Sequence, residues 1–318
     1  MSLIERAAKR LEELRRAGVD IPTNTPEKTG NPQPGNSRAP TTVDPAHPSM
    51  PKMEAVNAAR STAGPATGTP SSRNRFDLDL PRLAGLGFVT PDKPRSRIAD
   101  EFRILKRPLI ANSSAKRAVP IKHGNLIMVT SALPGEGKTF SALNLAMSLA
   151  MELDRTVLLV DADVARPSLP ALLGLPQAKG LLDVLEDKNI DLNQVLLRTN
   201  VEKLSILPSG TPQPHATELL ASSAMAHLLA EMSVRYADRI IIFDSPPLLV
   251  TTESRVLATQ MGQIVFVVHA ESTLQADVLR ALATIESCPI KMMVLNQART
   301  VGQGAHGYGY GYGYGYGG

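Results

Sequence analysis

The 318-residue chain has no tryptophan, a single cysteine and only 4% aromatic residues. With one thiol, Cys288, a disulfide framework and a cysteine-built zinc cluster are both excluded, and a reducing compartment is the expected setting. Five of the six tyrosines crowd into the last eleven residues, so the core has to be aliphatic. Long apolar runs are missing as well: nothing approaches the roughly 20 residues needed to span a bilayer. The opening MSLIERAAKRLEELRRAG has no continuous apolar stretch of the kind a signal peptide needs. These absences lead to the expectation of a soluble, cytoplasmic chain. What remains is ample aliphatic material, 43% hydrophobic residues, enough for one large domain with extra segments or two modest ones.

The net charge of +4 hides an asymmetry. Residues 1–123 carry a balance of +9 and residues 124–318 a balance of −5. A basic front half suits an anionic membrane surface, an acidic partner or nucleic acid, and equally a solvated arm.

Leu3, Ile4, Ala7, Ala8, Leu11 and Leu14 recur at helical spacing before Gly18 and Pro22, which predicts an amphipathic helix within residues 1–20. Its narrow apolar stripe suits docking to a partner helix. From about residue 21 to 75 the composition turns to Pro, Thr, Ser, Asn, Gly and Ala, with ten of the 25 prolines, and a flexible linker is expected over 21–95. Arg97–Lys106 reads as a short helix stopped before Pro108. Strands are expected at Leu126–Ser131, Val157–Asp163, Leu204–Leu207, Ile240–Asp244, Ile264–His269 and Met292–Asn296. Longer helices are expected at Lys138–Leu153, Thr217–Tyr236 and Thr273–Ile285. Strands apolar on consecutive positions and separated by helices predict an α/β domain over 96–300, a parallel sheet sandwiched by helices. Residues 301–318 end in GYGYGYGYGYGG, which has no aliphatic residue to bury and is expected to be a mobile tail.

The strongest chemical signal is Ala132-Leu-Pro-Gly-Glu-Gly-Lys-Thr139, directly after a predicted strand and opening a predicted helix. Wrapping phosphates in backbone N–H groups needs small residues, a lysine to bridge the β- and γ-phosphates, and a hydroxyl for Mg²⁺. Gly135, Glu136, Gly137, Lys138, Thr139 and Phe140 are therefore the expected nucleotide-binding residues, and the sheet is that of a P-loop NTPase. Ala132 replaces the usual first glycine. Val157–Pro167 (VLLVDADVARP) ends an apolar strand in Asp161 and Asp163, and Ile240–Pro247 (IIIFDSPP) ends another in Asp244. Strand carboxyl ends form the ligand crevice of an open α/β sheet, where carboxylates suit Mg²⁺ and its water. Asn296 closes the last strand, where an amide can meet an adenine edge or simply cap the strand.

Together the PGEGKT loop, the DAD…RP strand end and the IIIFDSPP strand resemble the bacterial tyrosine kinases, P-loop autokinases tied to exopolysaccharide production. The likeness spans about 96–318. The short N-terminal helix and Pro-rich linker look like the exosortase-associated branch. The resemblance implies ATP and Mg²⁺ as cofactors, with Lys138, Asp161, Asp163 and Asp244 catalytic and Thr139, Asp161 and Asp244 holding the metal. Asp161 would accept the proton of an attacking tyrosine. Tyr308, Tyr310, Tyr312, Tyr314 and Tyr316 would be acceptors, phosphorylated by a neighbouring subunit in a homo-oligomeric ring. The family's E-x-x-R-x-x-R ring-contact helix maps onto Asp100, Arg103 and Lys106. Implied partners are a membrane polysaccharide chain-length determinant as activator, recruiting the chain to the inner face of the membrane, and a cognate tyrosine phosphatase; no nucleic acid is expected.

Two other readings compete. A partitioning or division-site ATPase switch shares the fold and the DAD strand but usually carries an extra lysine early in the loop, where this chain has Leu133 and Pro134. A non-enzymatic scaffold would use the tyrosine repeat for adhesion, against which stand the intact Lys138, Thr139, Asp161 and Asp244. His123, His215, His227 and His269 show no metal-ligand spacing, and Cys288 reads as a small buried hydrophobe.

Overall fold

A computed structural model describes residues 74–114 and 119–298 of the chain. The segment expected to form helix 1–20, the linker up to residue 73, and the Gly-Tyr tail lie outside the described residues. In chain order the elements are β1 (Arg75–Phe76), α1 (Leu80–Gly85), α2 (Arg97–Ser113), β2 (Leu126–Ser131), α3 (Lys138–Ala150), β3 (Thr156–Asp161) and α4 (Leu169–Leu173). They continue with α5 (Leu181–Glu186), α6 (Leu192–Val195), β4 (Leu197–Thr199), β5 (Leu204–Leu207), α7 (Ala216–Leu220) and α8 (Ser223–Arg235). The last are β6 (Arg239–Asp244), α9 (Glu253–Ala258), β7 (Gln263–His269), α10 (Gln275–Ala283) and β8 (Ile290–Asn296).

The strands form one sheet in the order β1-β4-β5-β3-β6-β2-β7-β8, parallel throughout except for the β4–β5 pair. Every residue of β2 is buried, as expected for a central strand covered on both faces. Alternate side chains feed two cores: Met128, Leu158, Val160 and Phe243 on one face, Ile127, Val129, Leu159 and Ile242 on the other. Each such buried apolar side chain stabilises the fold by about 1.5–3 kcal/mol before entropy is counted. The result is a P-loop NTPase fold whose central strands β3, β6 and β2 end together.

Three expectations are revised. The linker does not run to residue 95. Leu78, Leu83, Phe88 and Val89 are buried, β1 pairs with β4, and the Val89 N–H donates to Asn144 Oδ1 at 2.7 Å. The Pro-rich bias ends before residue 76, and the apolar residues beyond it belong to the core. The helix at Arg97 does not stop before Pro108 but runs seven residues past Lys106 to Ser113. Proline there forfeits the bond to the Ile104 carbonyl, yet Leu109 is fully buried and Asn112 donates to Gln263 Oε1, so packing carries the helix on. The expected helix Thr217–Tyr236 is two, because the Ser222 hydroxyl caps the Met225 N–H and starts α8 afresh. Among the described residues no helix is long and apolar enough to cross a membrane.

Candidate functional site

The chain leaves β2 at Ser131, turns through residues 132–137 and enters α3 at Lys138. Gly135 and Gly137 sit at φ +82° and +92°, left-handed conformations that side chains strain to adopt. This turn aims the unpaired first-turn N–H groups and the positive dipole end of α3 into one concavity, an anion site by construction.

Two anchors hold the turn in shape. The buried Glu136 carboxylate accepts the Leu133 N–H at 2.7 Å through Oε2 and the Thr273 hydroxyl through Oε1. The Asn296 amide donates to the Glu136 carbonyl at 2.9 Å. Glu136 therefore points inward, bracing the loop from the β7–α10 connection, rather than toward a nucleotide. Asn296 thus commits one amide hydrogen to the loop backbone, which leaves its second N–H and its Oδ1.

Opposite the loop lie the ends of β3 and β6, where Asp161 and Asp244 are register partners on adjacent strands. Both are fully buried, and among the described residues no carboxylate oxygen of either has a well-formed hydrogen bond. Unpaired buried anions are costly, and burial pushes Asp161 up to about 8, with the charges of Asp244 and Asp163 adding to the rise. Burial likewise pushes Asp244 up to about 7, against the pull of the Thr139 hydroxyl and the Lys138 ammonium. Asp163, two residues past Asp161 and half-buried, is also raised by burial, opposed chiefly by Lys138; it accepts the Arg166 N–H at 3.3 Å. The Thr139 hydroxyl is near enough to act on Asp244, while its own hydrogen bond runs to Ser168 Oγ at 2.7 Å.

These groups fit a hard divalent cation carried in with phosphates. The Thr139 hydroxyl and the orphaned oxygens of Asp161 and Asp244 are the oxygen donors such an ion prefers. Among the described residues no cluster of three or more His, Cys, Asp or Glu holds a metal by itself, so the remaining ligands would come from phosphate oxygens and water.

Of the residues singled out by sequence, Gly135, Glu136, Gly137, Lys138, Thr139, Asp161, Asp163, Asp244 and Asn296 gather at the carboxyl ends of β2, β3, β6 and β8. Phe140 does not join them through its ring, which packs on Phe88 at a centroid distance of 4.9 Å. On α2, Asp100 and Arg103 form an exposed ion pair. Lys106 is buried, donating to the Ser148 carbonyl at 2.6 Å and pairing with Glu152 at 2.6 Å. Six residues along a helix turn by 600°, leaving Lys106 about 120° away from Asp100, on the core side; it is not on a contact face. Tyr308, Tyr310, Tyr312, Tyr314 and Tyr316 lie outside the described residues. A cavity of about 680 Å³ beside α5 and α8 shares no residue with this site.

Three participants escaped the sequence reading. Ser168 follows a proline at a helix start, and Thr273 precedes α10; only their turn-like contexts mark them. Glu253, buried in the first turn of α9, acts electrostatically on Asp163.

Residues 122–301 match the ParA family model, described as NUBPL iron-transfer P-loop NTPase. Tyrosine-protein kinase YwqD of Bacillus subtilis (strain 168) is 30% identical over 205 residues, covering 64% of this chain and 82% of YwqD. Tyrosine-protein kinase Etk of Escherichia coli (strain K12) is 28% identical over 217 residues, covering 68% of this chain but 28% of Etk. The solved kinase domain of Escherichia coli tyrosine kinase ETK matches with a TM-score of 0.58 at 26% identity, covering 70% of this chain and 86% of that domain.

Proposed function

The chain belongs to the bacterial tyrosine kinases, within the ParA-like P-loop NTPases, and from that premise we propose that it is an ATP- and Mg²⁺-dependent autokinase acting in trans, within an oligomer, on its own C-terminal tyrosines. The observation that carries this reading is the pair of fully buried, partnerless carboxylates, Asp161 and Asp244, facing a preformed phosphate loop.

When bound, Mg·ATP supplies the transferable phosphoryl group and a cation that spreads its charge. The protein's own share is positioning and neutralisation, which is most of what phosphoryl transfer demands. The α3 N-terminus and Lys138 hold and neutralise the phosphates. Thr139 and Asp244 would hold the metal, and Asp161 would share in it. As the tyrosine oxygen bonds to phosphorus and the bond to the leaving phosphate oxygen breaks, the phenol proton passes to the Asp161 carboxylate. Burial holds the Asp161 carboxyl up to about 8 in the empty protein; the charge of a cation beside it would lower that value and leave the carboxylate ready to accept the proton. Asp163, its carboxylate fixed by the Arg166 backbone N–H, would assist by orienting water beside the metal.

Within this reading the basic N-terminal region contacts a membrane polysaccharide chain-length determinant or the anionic leaflet, and autophosphorylation regulates exopolysaccharide synthesis or export. The ATPase-switch alternative is less favoured, because Leu133 and Pro134 stand where such proteins usually carry their extra lysine. Intact mass after incubation with Mg·ATP tests the central reading on wild type, Lys138→Met and a chain ending at His306. Multiple phosphate increments on wild type, absent from both variants, are expected; steady ADP release without increments would favour the switch instead.

A further inference from the structure

A cleft of about 390 Å³ runs between α2 and β8, lined chiefly by Ile98, Ile104, Leu105, Phe140, Met293 and Leu295. Its rim carries large exposed apolar side chains: Ile104 is 74% exposed, Met293 54% and Leu295 64%. Scattered apolar residues on a surface need no explanation, but a contiguous rim of them around a cleft marks a contact. One wall is β8, which closes the order of the sheet and, among the described residues, pairs with β7 alone, so its other backbone edge is open there.

We infer that this cleft seats the chain's own Gly-Tyr segment, residues 307–318, in its unphosphorylated form. Three observations select this occupant. First, the described chain ends at Ala298, two residues past Asn296, which itself lines the cleft. Tyr308 lies ten residues beyond, a span of about 18 Å for a Gly-rich connection. That tether keeps the segment at millimolar effective concentration beside the cleft. Second, a connection of about ten residues is long enough for the chain to reverse and lie antiparallel to the strand it has just left, the simplest way to cover an open edge. Third, a strict two-residue repeat puts every tyrosine ring on one face of an extended strand and every glycine on the other. Rings on one face fill an apolar cleft, while glycines allow close backbone approach.

The repeat also permits slippage by two residues without changing the contact, so any ring can be seated while others stay free. The catalytic strand β6 lies three strands from β8, roughly 14 Å away at the usual strand spacing. A segment seated by one or two rings thus leaves the others within reach of a phosphotransfer site, its own or a neighbour's. Each phosphate adds about −1.5 to −2 charges, and the cleft offers an apolar wall and the Glu101 carboxylate rather than a cation. Glu101 is itself paired with Arg97 at 3.0 Å, so it is the apolar lining, unable to solvate a phosphate, that makes phosphorylation eject the segment. Only this last consequence rests on the acceptor reading of the tail; docking itself is independent of catalysis.

The test is fluorescence anisotropy with a labelled, end-blocked GYGYGYGYGYGG peptide and no ATP. Three full-length proteins are compared, all carrying Lys138→Met. One keeps its native tail, one has serine at the five tail tyrosines, and one adds Ile104→Glu and Leu295→Glu to the serine tail. The peptide should bind the serine-tailed protein, bind the native-tailed protein at least five-fold more weakly because its own tail competes, and lose at least ten-fold on the cleft variant. A peptide with every tyrosine phosphorylated should bind at least ten-fold more weakly than the plain one. Equal binding to native-tailed and serine-tailed proteins, or binding indifferent to the cleft changes, overturns the proposal. A fall in oligomer mass on the cleft variant with peptide binding unchanged also overturns it, assigning the cleft to subunit contact. Failure of the autokinase reading shows separately, as missing phosphate increments on wild type with Mg·ATP.

Discussion

The amide nitrogen of Asn296 occupies the space that a side chain on Gly137 would need. A Cβ built on Gly137 falls 2.0 Å from Asn296 Nδ2, and the Gly137 backbone is already left-handed at φ +92°. The last strand of the sheet thereby sets the shape of the phosphate loop 160 residues earlier. Gly137→Ala should abolish measurable binding of a fluorescent nucleotide. Asn296→Ala removes one hydrogen bond to the loop, about 1 kcal/mol, and should weaken binding by roughly five- to ten-fold. In the double variant the collision is gone but the φ penalty stays, so only part of the Gly137→Ala loss should return.

The two buried carboxylates make the empty protein sensitive to pH. Asp161 and Asp244 titrate near 8 and near 7 when folded, against 3.8 when unfolded. Between those values the folded state holds more protons than the unfolded state, so stability falls as pH rises. The penalty is absent below about pH 4 and fully present above about pH 8. Asp161→Asn and Asp244→Asn should therefore raise the melting temperature of the nucleotide-free protein at pH 8 and change it little at pH 4.5, while both abolish phosphate transfer. Thermal melts over pH 4.5–8.5 check this; a variant less stable than wild type at pH 8 contradicts it. Mg·ADP binding should release protons near pH 7, read by calorimetry in buffers of different ionisation enthalpy.

If the chain assembles through α2, Lys106 and Arg103 should separate folding from assembly. Lys106 is buried and ties α2 to the end of α3 through Ser148 and Glu152, whereas Arg103 sits on the solvent side. Because Glu152 keeps water access, Lys106→Met should cost about 1–3 kcal/mol, lowering the melting temperature by several degrees without changing oligomer mass at low temperature. Arg103→Glu should leave the melting temperature within about 1 °C and reduce the mass measured by light scattering.

If the tail tyrosines are the acceptors, their modification changes the charge of an assembly drastically. Five phosphates add roughly −7 to −10 charges per subunit, enough to oppose close packing of identical neighbours. Light scattering before and after incubation with Mg·ATP should show a falling mass, and Lys138→Met should show none. An unchanged mass with full phosphorylation refutes disassembly.

What the sequence made legible follows from burial. Leu126–Ser131 and Leu204–Leu207 were readable to the residue because strands covered on both faces are uncharged and mostly apolar on consecutive positions. The phosphate loop, Asp161 and Asp244 were readable because backbone-wrapped phosphates admit few alternatives to Gly, Lys and Thr between strand and helix. What escaped depends on contacts between distant segments. Nothing local to Pro108 announces that Leu109 and Asn112 are anchored in the core. The E-x-x-R-x-x-R likeness placed Lys106 with Asp100, though helical geometry turns it inward. A loop glutamate such as Glu136 looks like a ligand until its partners, Leu133 and Thr273, are known.

That last contact yields a prediction about preorganisation. Glu136 accepts from Leu133 N–H on one oxygen and from the Thr273 hydroxyl on the other, and Thr273 Oγ1 in turn accepts the His269 N–H at 3.2 Å. The end of β7 thus holds the loop open for phosphate before any arrives. Thr273→Val keeps the shape but removes donor and acceptor together, leaving one buried carboxylate oxygen and one N–H unsatisfied at about 1–3 kcal/mol each. Nucleotide affinity should fall by ten-fold or more, with Thr273→Ser restoring it. Glu136→Gln should be milder than Glu136→Ala, since the amide oxygen can still accept from Leu133 while its NH₂ donates to Thr273. If Glu136 met the nucleotide directly, Thr273→Val would leave binding intact and Glu136→Ala alone would weaken it. Equilibrium binding of a fluorescent ADP to the four variants separates the two roles.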